Sequence, residues 1–269
     1  MLPEFKLVLP YHLDEALGWL NGGRALIAAG ATRLLLMAYM HLLKPEIMVS
    51  ITRLGLRELK VGDELEVEAN VTLSRIVKDP RVRSQFPLVA VSASHVADPV
   101  VRNKATLVGN IVNAVPYSTM VPAFLLMEGR AKVRGPAGPR EILAKDFFVN
   151  ALETAQRPDE IVTSLTFKRM EGKWAFTEFK SNSHLPVINV AVWRFNSGRV
   201  KAAYTGLTPV PNVIDLGKIK PDFRNSYREV KNALQDLSGQ VIDDLRSSSE
   251  YRLHLASVLT ARLLEEVSR

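Results

Sequence analysis

The chain has 269 residues, 47% hydrophobic and 23% charged, and it contains no cysteine. That length allows one large domain or two modest ones, and the missing cysteines exclude disulfides, a thiol nucleophile and cysteine-ligated zinc or iron–sulfur sites within this chain. The net charge of +7 divides as +3 over residues 1–168 and +4 over 169–269, whereas a nucleic-acid binder concentrates its charge on one face or arm, so no nucleic-acid partner is expected.

Leu13, Ala16, Leu17 and Leu20 recur at helical spacing, which predicts an amphipathic helix over His12–Asn21 ended by Gly22-Gly23. Ala25 to Ala29 is a short apolar run that reads as a buried strand. Gly30 closes it, and Thr32 is the expected cap of a helix over Arg33–Leu42. With a strand at Ile47–Ile51, these elements form a β–turn–α–β unit. The apolar run Leu34–Met40 is far too short to span a bilayer, and Leu7-Val8-Leu9 is no signal-peptide core, so no membrane span and a cytoplasmic location are expected.

Leu65 to Val71 alternates apolar and polar residues, as a half-exposed strand does. Thr72–Lys78 and Leu88–Ala97 read as helices, and Asp98 to Asn110 as a polar, turn-rich stretch. A helix at Val121–Met127 and a strand at Ala131–Arg134 follow, then a tight connection at Gly135-Pro136-Ala137-Gly138-Pro139 and a strand within Asp159–Lys168. Beyond Met170 come strands at Trp174–Lys180, Val187–Phe195 and Val200–Thr205, the last two joined by the hairpin turn Asn196-Ser197-Gly198. Thr208-Pro209-Val210-Pro211 breaks the pattern, and helices close the chain at Asn225–Leu237 and Ser249–Val267.

Two turns could hold a phosphate. Backbone amides in small-residue turns and at helix N-termini neutralise phosphate without bulky side chains intervening. The first is Ala29-Gly30-Ala31-Thr32-Arg33-Leu34, between a strand and a helix; the second is Thr106-Leu107-Val108-Gly109-Asn110. Neither fits G-x-G-x-x-G, so a Rossmann site is not supported. His12, His41, His95, His184 and His254 show no metal-binding spacing, and His95, on an apolar helix, reads as a packed core residue. Trp174, Trp193 and Tyr204 lie on predicted strands and read as core.

Ala97-Asp98-Pro99-Val100-Val101-Arg102-Asn103-Lys104-Ala105-Thr106-Leu107-Val108-Gly109-Asn110 resembles the A-D-P-x-V-R-N-x-G-T-I-G-G-N signature of the flavin-binding subunits of molybdenum hydroxylases. The first loop resembles that family's A-G-G-x-[SD]-L-L, and Pro116 to Ala123 its P-A-x-D-x-x-P-A. Gly206 to Pro211 resembles G-V-A-P-T-P, and Asp244 to Ala256 resembles D-x-R-x-S-x-E-Y-R-x-H-L-A. The five motifs stand in the family's order over nearly the whole chain.

The resemblance implies an α+β fold: a two-lobed FAD-binding domain of vanillyl-alcohol-oxidase type over 1–168, with lobes of about 1–55 and 56–168, then a small α/β C-terminal domain over 169–269. It implies FAD as cofactor, and as partners an iron–sulfur small subunit and a molybdopterin large subunit that carry the metal centres. The implied role is electron transfer from the partner's clusters to an external acceptor, with no catalytic side chain in this chain. Carried over by position, Ala29, Gly30, Ala31, Thr32, Arg33 and Leu34 face the pyrophosphate from one side, and Thr106, Leu107, Val108, Gly109 and Asn110 from the other. Thr119, beside Ser118, takes the place of a nucleotide-contacting aspartate, Val162 that of an apolar flavin neighbour, and Lys180 that of a basic residue near the isoalloxazine.

The departures from the family pattern fall on this pocket. Val108 and Ala31 replace glycines, Thr119 an aspartate, and His184 stands where an aspartate is common. A valine forced to φ > 0 costs roughly 1–3 kcal/mol, so FAD binding is expected to be weakened, with loss as the limiting case. The alternative is a flavin-free scaffold that keeps the fold and its docking surfaces. Arg33, where a serine or acid is usual, is placed to pair with a phosphate.

Overall fold

The computed structural model describes residues 2–180, 185–220 and 222–269. The first lobe is a parallel three-stranded sheet. Strands β1 (Lys6–Val8) and β2 (Ala25–Ala28) flank β3 (Ile47–Ser50), connected through helices α1 (Leu13–Leu20) and α2 (Thr32–Tyr39). Ala16, Leu17 and Leu20 bury the inner stripe of α1. Thr32 does not cap α2; it is the first helical residue, and the N-cap is Ala31 in the left-handed region at φ 53°.

The second lobe is an antiparallel five-stranded sheet in the order β4–β5–β10–β6–β7. Its strands are β4 (Leu59–Val61), β5 (Glu64–Glu68), β6 (Arg130–Gly135), β7 (Gly138–Leu143) and β10 (Ile161–Lys168). The alternation in β5 buries Leu65 and Val67, as the sequence pattern requires. Between β5 and β6 run α3 (Leu73–Lys78), α4 (Pro80–Gln85), α5 (Pro87–Ser94), α6 (Pro99–Arg102), α7 (Leu107–Val112) and α8 (Val121–Leu126). Several of these helices start on a chemical signal. Thr72, Asp79, Asp98 and Thr106 accept first-turn amides, and proline occupies the first position of α4, α5 and α6. The stretch Asp98–Asn110 therefore holds one short helix and the start of another, where the sequence suggested only turns. After β7 come α9 (Ala144–Phe147) and the short pair β8 (Phe148–Asn150) and β9 (Glu153–Thr154).

The C-terminal part is an antiparallel meander: β11 (Lys173–Lys180), β12 (Pro186–Arg194), β13 (Val200–Thr205) and β14 (Asn212–Gly217). Helices α10 (Phe223–Ala233) and α11 (Ser249–Glu266) follow. Strand β12 is apolar on both faces because both are covered. Val190 and Val192 join the core beneath α11, while Ala191 and Trp193 join the core shared with the first two lobes. The turn at Asn196–Gly198 is as expected, with Gly198 at φ 82°.

Candidate functional site

The two small-residue turns meet. A side chain on Gly30 would overlap the Lys104 carbonyl and press on Ala105, so only glycine lets the first loop approach the second this closely. The second loop is anchored in turn: Leu73 N donates to Ala105 O, Leu107 N donates to Val71 O, and Thr72 and Thr106 form an isolated bridge. The preceding A-D-P-V-V-R segment builds that anchor. Asp98 caps α6 through Val101 N, and the Arg102 guanidinium donates to Val96 O at 2.9 Å and Ala97 O at 2.7 Å, fixing Ala97 at φ 45°.

Between the turns lies a cavity of about 220 Å³. All six residues Ala29 to Leu34 line it, as do Thr106, Val108, Gly109, Asn110 and Val162. Leu107 turns away into the core. Sequence reasoning passed over the apolar walls supplied by Ile27, Ile51, Val96, Val101 and Val112, and the polar Asn113 and Gln156. Their signal was no motif, only their place at the ends of elements flanking the two turns. Gln156 is held by its amide donating to Glu160 O at 2.6 Å. Glu160 is gripped bidentately by Arg140, whose guanidinium, against the opposing effect of burial, holds the carboxyl below its usual range.

The backbone at Val108 differs from the sequence expectation. Val108 sits in the first turn of α7 with negative φ, so it carries no left-handed strain. The strained position is Ala31. The amides of Thr32, Arg33 and Leu34 open α2 without acceptors among the described residues, and the Val108 amide likewise meets none. Gly109 N is taken by the Thr106 hydroxyl. The cavity thus offers unpaired N–H groups from both sides and the positive end of α2. Arg33 adds a guanidinium that forms no ion pair or hydrogen bond among the described residues. These features fit an anionic diphosphate, and the apolar walls fit a ring system. The cavity lies below the ~300–1,000 Å³ of an enclosed ligand pocket, so it can enclose part of a dinucleotide and not the whole.

Besides Leu107, three expected site residues lie outside the cavity lining. Ser118 is buried, and its hydroxyl donates to Asn110 Oδ1 at 2.9 Å, so it touches the second loop from behind. Thr119 is also buried. Lys180 pairs with Glu178 at 2.7 Å, and the same carboxylate oxygen meets His95 Nδ1 at 2.9 Å. His95 is accordingly not a core residue but a half-exposed group joining the second lobe to β11. His184 lies outside the described residues.

A two-lobed cleft lined by a helix start and a second turn with unpaired main-chain amides, backed by an antiparallel sheet, has the make-up of a nucleotide-cofactor site. The family described as the FAD binding domain in molybdopterin dehydrogenase matches residues 3–167, and the chain belongs to that family. It is 28% identical to the nicotine 6-hydroxylase medium subunit of Paenarthrobacter nicotinovorans, over 98% of each chain. It is 25% identical to the carbon monoxide dehydrogenase medium chain of Hydrogenophaga pseudoflava, over 97% of this chain and 96% of the other. Its fold matches a chain of quinoline 2-oxidoreductase from Pseudomonas putida 86 with a TM-score of 0.89 at 23% identity, covering 100% of this chain and 98% of that one. The protein is therefore an FAD-binding oxidoreductase subunit of the molybdenum hydroxylase family. Among the described residues there is no group of side chains suited to a metal ion, and no helix long and apolar enough to cross a membrane.

Proposed function

We propose that this chain is the electron-transfer subunit of a molybdopterin-dependent hydroxylase or dehydrogenase, working with an iron–sulfur small subunit and a molybdopterin large subunit. In this reading residues 1–168 form the FAD-binding domain and 169–269 the C-terminal domain, and the complex is cytoplasmic. FAD, when bound, supplies the redox chemistry, linking the partner's clusters to an external acceptor. The chain's own residues bind and orient. The amides of Thr32, Arg33 and Leu34 on one side and Val108 on the other hold the diphosphate, Asn110 and Asn113 offer side-chain hydrogen bonds, and Val162 and the neighbouring valines exclude water from the ring system.

The observation that carries the reading is the convergence of two turns, distant in sequence, on one cavity that both line with residues whose amides have no acceptor among the described residues. Titrating the purified chain with FAD, followed by flavin fluorescence, should give saturable one-to-one binding. In the complex with both partner subunits, adding substrate should bleach the flavin absorbance. A chain that never saturates would sink the cofactor assignment. Binding without bleaching in the assembled complex would sink the electron-transfer role.

A further inference from the structure

Arg33 has no structural partner among the described residues. It lies in the first turn of α2, half-buried, lines the cavity, and makes no ion pair or hydrogen bond among the described residues. Unpaired cations are ordinary on open surfaces, but this one stands beside three unpaired helix amides and across from the Val108 amide. No carboxylate lines the cavity to neutralise it. Two positions where the family motifs carry glycine hold side chains on the cavity walls. Ala31 puts a methyl group where a second glycine would leave the backbone bare, and Val108 puts an isopropyl group on the opposite wall.

We propose that Arg33 is the specificity-determining residue of the cofactor site: its guanidinium recognises the diphosphate, and charge compensates for the two missing glycines. This rests on the FAD-binding reading and adds the chemical class selected, a diphosphate-bearing nucleotide over a monophosphate or neutral flavin. Arginine suits the task because its planar fork offers paired donors to phosphate oxygens and never loses its charge. Amides alone select an anion weakly. A guanidinium added to them makes affinity rise with phosphate charge and fall with ionic strength.

The test compares binding of FAD, ADP, FMN and riboflavin to the wild-type chain and to R33A, R33K and R24A, by calorimetry and fluorescence at low and moderate salt. Arg24 is a charge control, an exposed arginine of the same lobe paired loosely with Glu46 and absent from the cavity lining. Arg33→Ala should weaken FAD and ADP alike, by about tenfold to a hundredfold. It should flatten the salt dependence of both and leave riboflavin unchanged, with Arg33→Lys in between. Because Arg33 has no ion-pair or hydrogen-bond partner among the described residues, its variants should melt with the wild type, which separates binding from folding. An R33A chain that binds FAD like the wild type overturns the proposal and leaves the FAD reading standing. So does a wild-type chain that binds FAD but not ADP, or equal losses in R33A and R24A. A wild-type chain that binds neither FAD nor ADP overturns both.

Discussion

At the scale of single residues, the cavity shows that a glycine missing from a motif has to be judged by the backbone it leaves behind. Valine at 108 suggested strain, yet its backbone is helical and its side chain is packed at 4% exposure. Val108→Gly should therefore lower stability by roughly 2–3 kcal/mol, through lost packing and glycine's poor helix propensity. Urea denaturation reads this directly, and a stabilised variant would restore the strain account. Ala31 is the opposite case. Its φ of 53° lies where an L-residue costs about 1–2 kcal/mol, while alanine gains back part of that by restricting the unfolded chain. Ala31→Gly should raise stability by a net 0.5–1 kcal/mol or roughly that. A lower melting temperature for that variant would show that the αL position is not the source of strain. With the Val108 backbone relaxed, one of the two grounds for a flavin-free scaffold is removed; the other, Thr119 in place of an aspartate, falls on a buried residue outside the cavity lining.

At the scale of elements, the C-terminal motif is explained by one buried ion-pair network. Arg252, fully buried on α11, donates to the carbonyls of Val187 and Gly206 and to Asp244 Oδ1 at 2.6 Å, while Arg246 chelates the other oxygen of Asp244 at 2.8 Å. Gly206, at φ 83°, is required because a side chain there would overlap the Val187 carbonyl. Burial pushes the Asp244 carboxyl up, but hydrogen bonds from Arg246 and Arg252 outweigh it and hold the group at about 2. A carboxyl depressed in the folded state stabilises above its unfolded value of 3.8 and loses that contribution as pH falls toward about 2. The shift corresponds to roughly 2 kcal/mol. Asp244→Asn should cost about that much at neutral pH, and the gap between variant and wild type should close between about pH 4 and pH 2. An undiminished gap in an acid-denaturation series would mean that Asp244 acts by shape and not by charge.

Elements with strong patterns were legible in the sequence: α1 from its leucine spacing, β5 from its alternation, β12 from its apolar run, α11 from its length. The misses have two causes. Strands β1, β4, β7 and β14 lie at sheet edges, where one side of the strand is unpaired and several side chains are exposed, so hydrophobic alternation is not enforced. Helices α6 and α7 have four and six residues, too few to show a period, although the Asp98 and Thr106 caps mark their starts. The two turns of the cavity were legible through their small residues and the motifs that flank them. Its apolar walls were not, because any valine suits them.

At the scale of the whole molecule, the C-terminal sheet reaches the cavity through hydrogen bonds. Gly206 N donates to Pro116 O, the Thr205 hydroxyl donates to Ser118 O at 3.0 Å, and Asn189, fully buried, donates to both Tyr117 O and the Thr205 hydroxyl. The Ser118 hydroxyl then meets Asn110, which lines the cavity. The P-Y-S-T segment is therefore a strut between the sheet and the second loop, which explains why it can resemble a family motif without lining the cavity. Thr205 is the joint of that strut. Thr205→Val keeps the shape but removes the donor to Ser118 O and the acceptor for Asn189 in a fully buried place, at a cost of roughly 1–3 kcal/mol. If the strut fixes the loop, hydrogen exchange should speed up at Thr106–Asn113 as well as beside residue 205, and FAD should dissociate faster. Exchange that quickens only within the C-terminal sheet would instead show that the loop is held by its own anchors, the bonds Leu73 N to Ala105 O and Leu107 N to Val71 O, and that the C-terminal sheet adds stability without shaping the site.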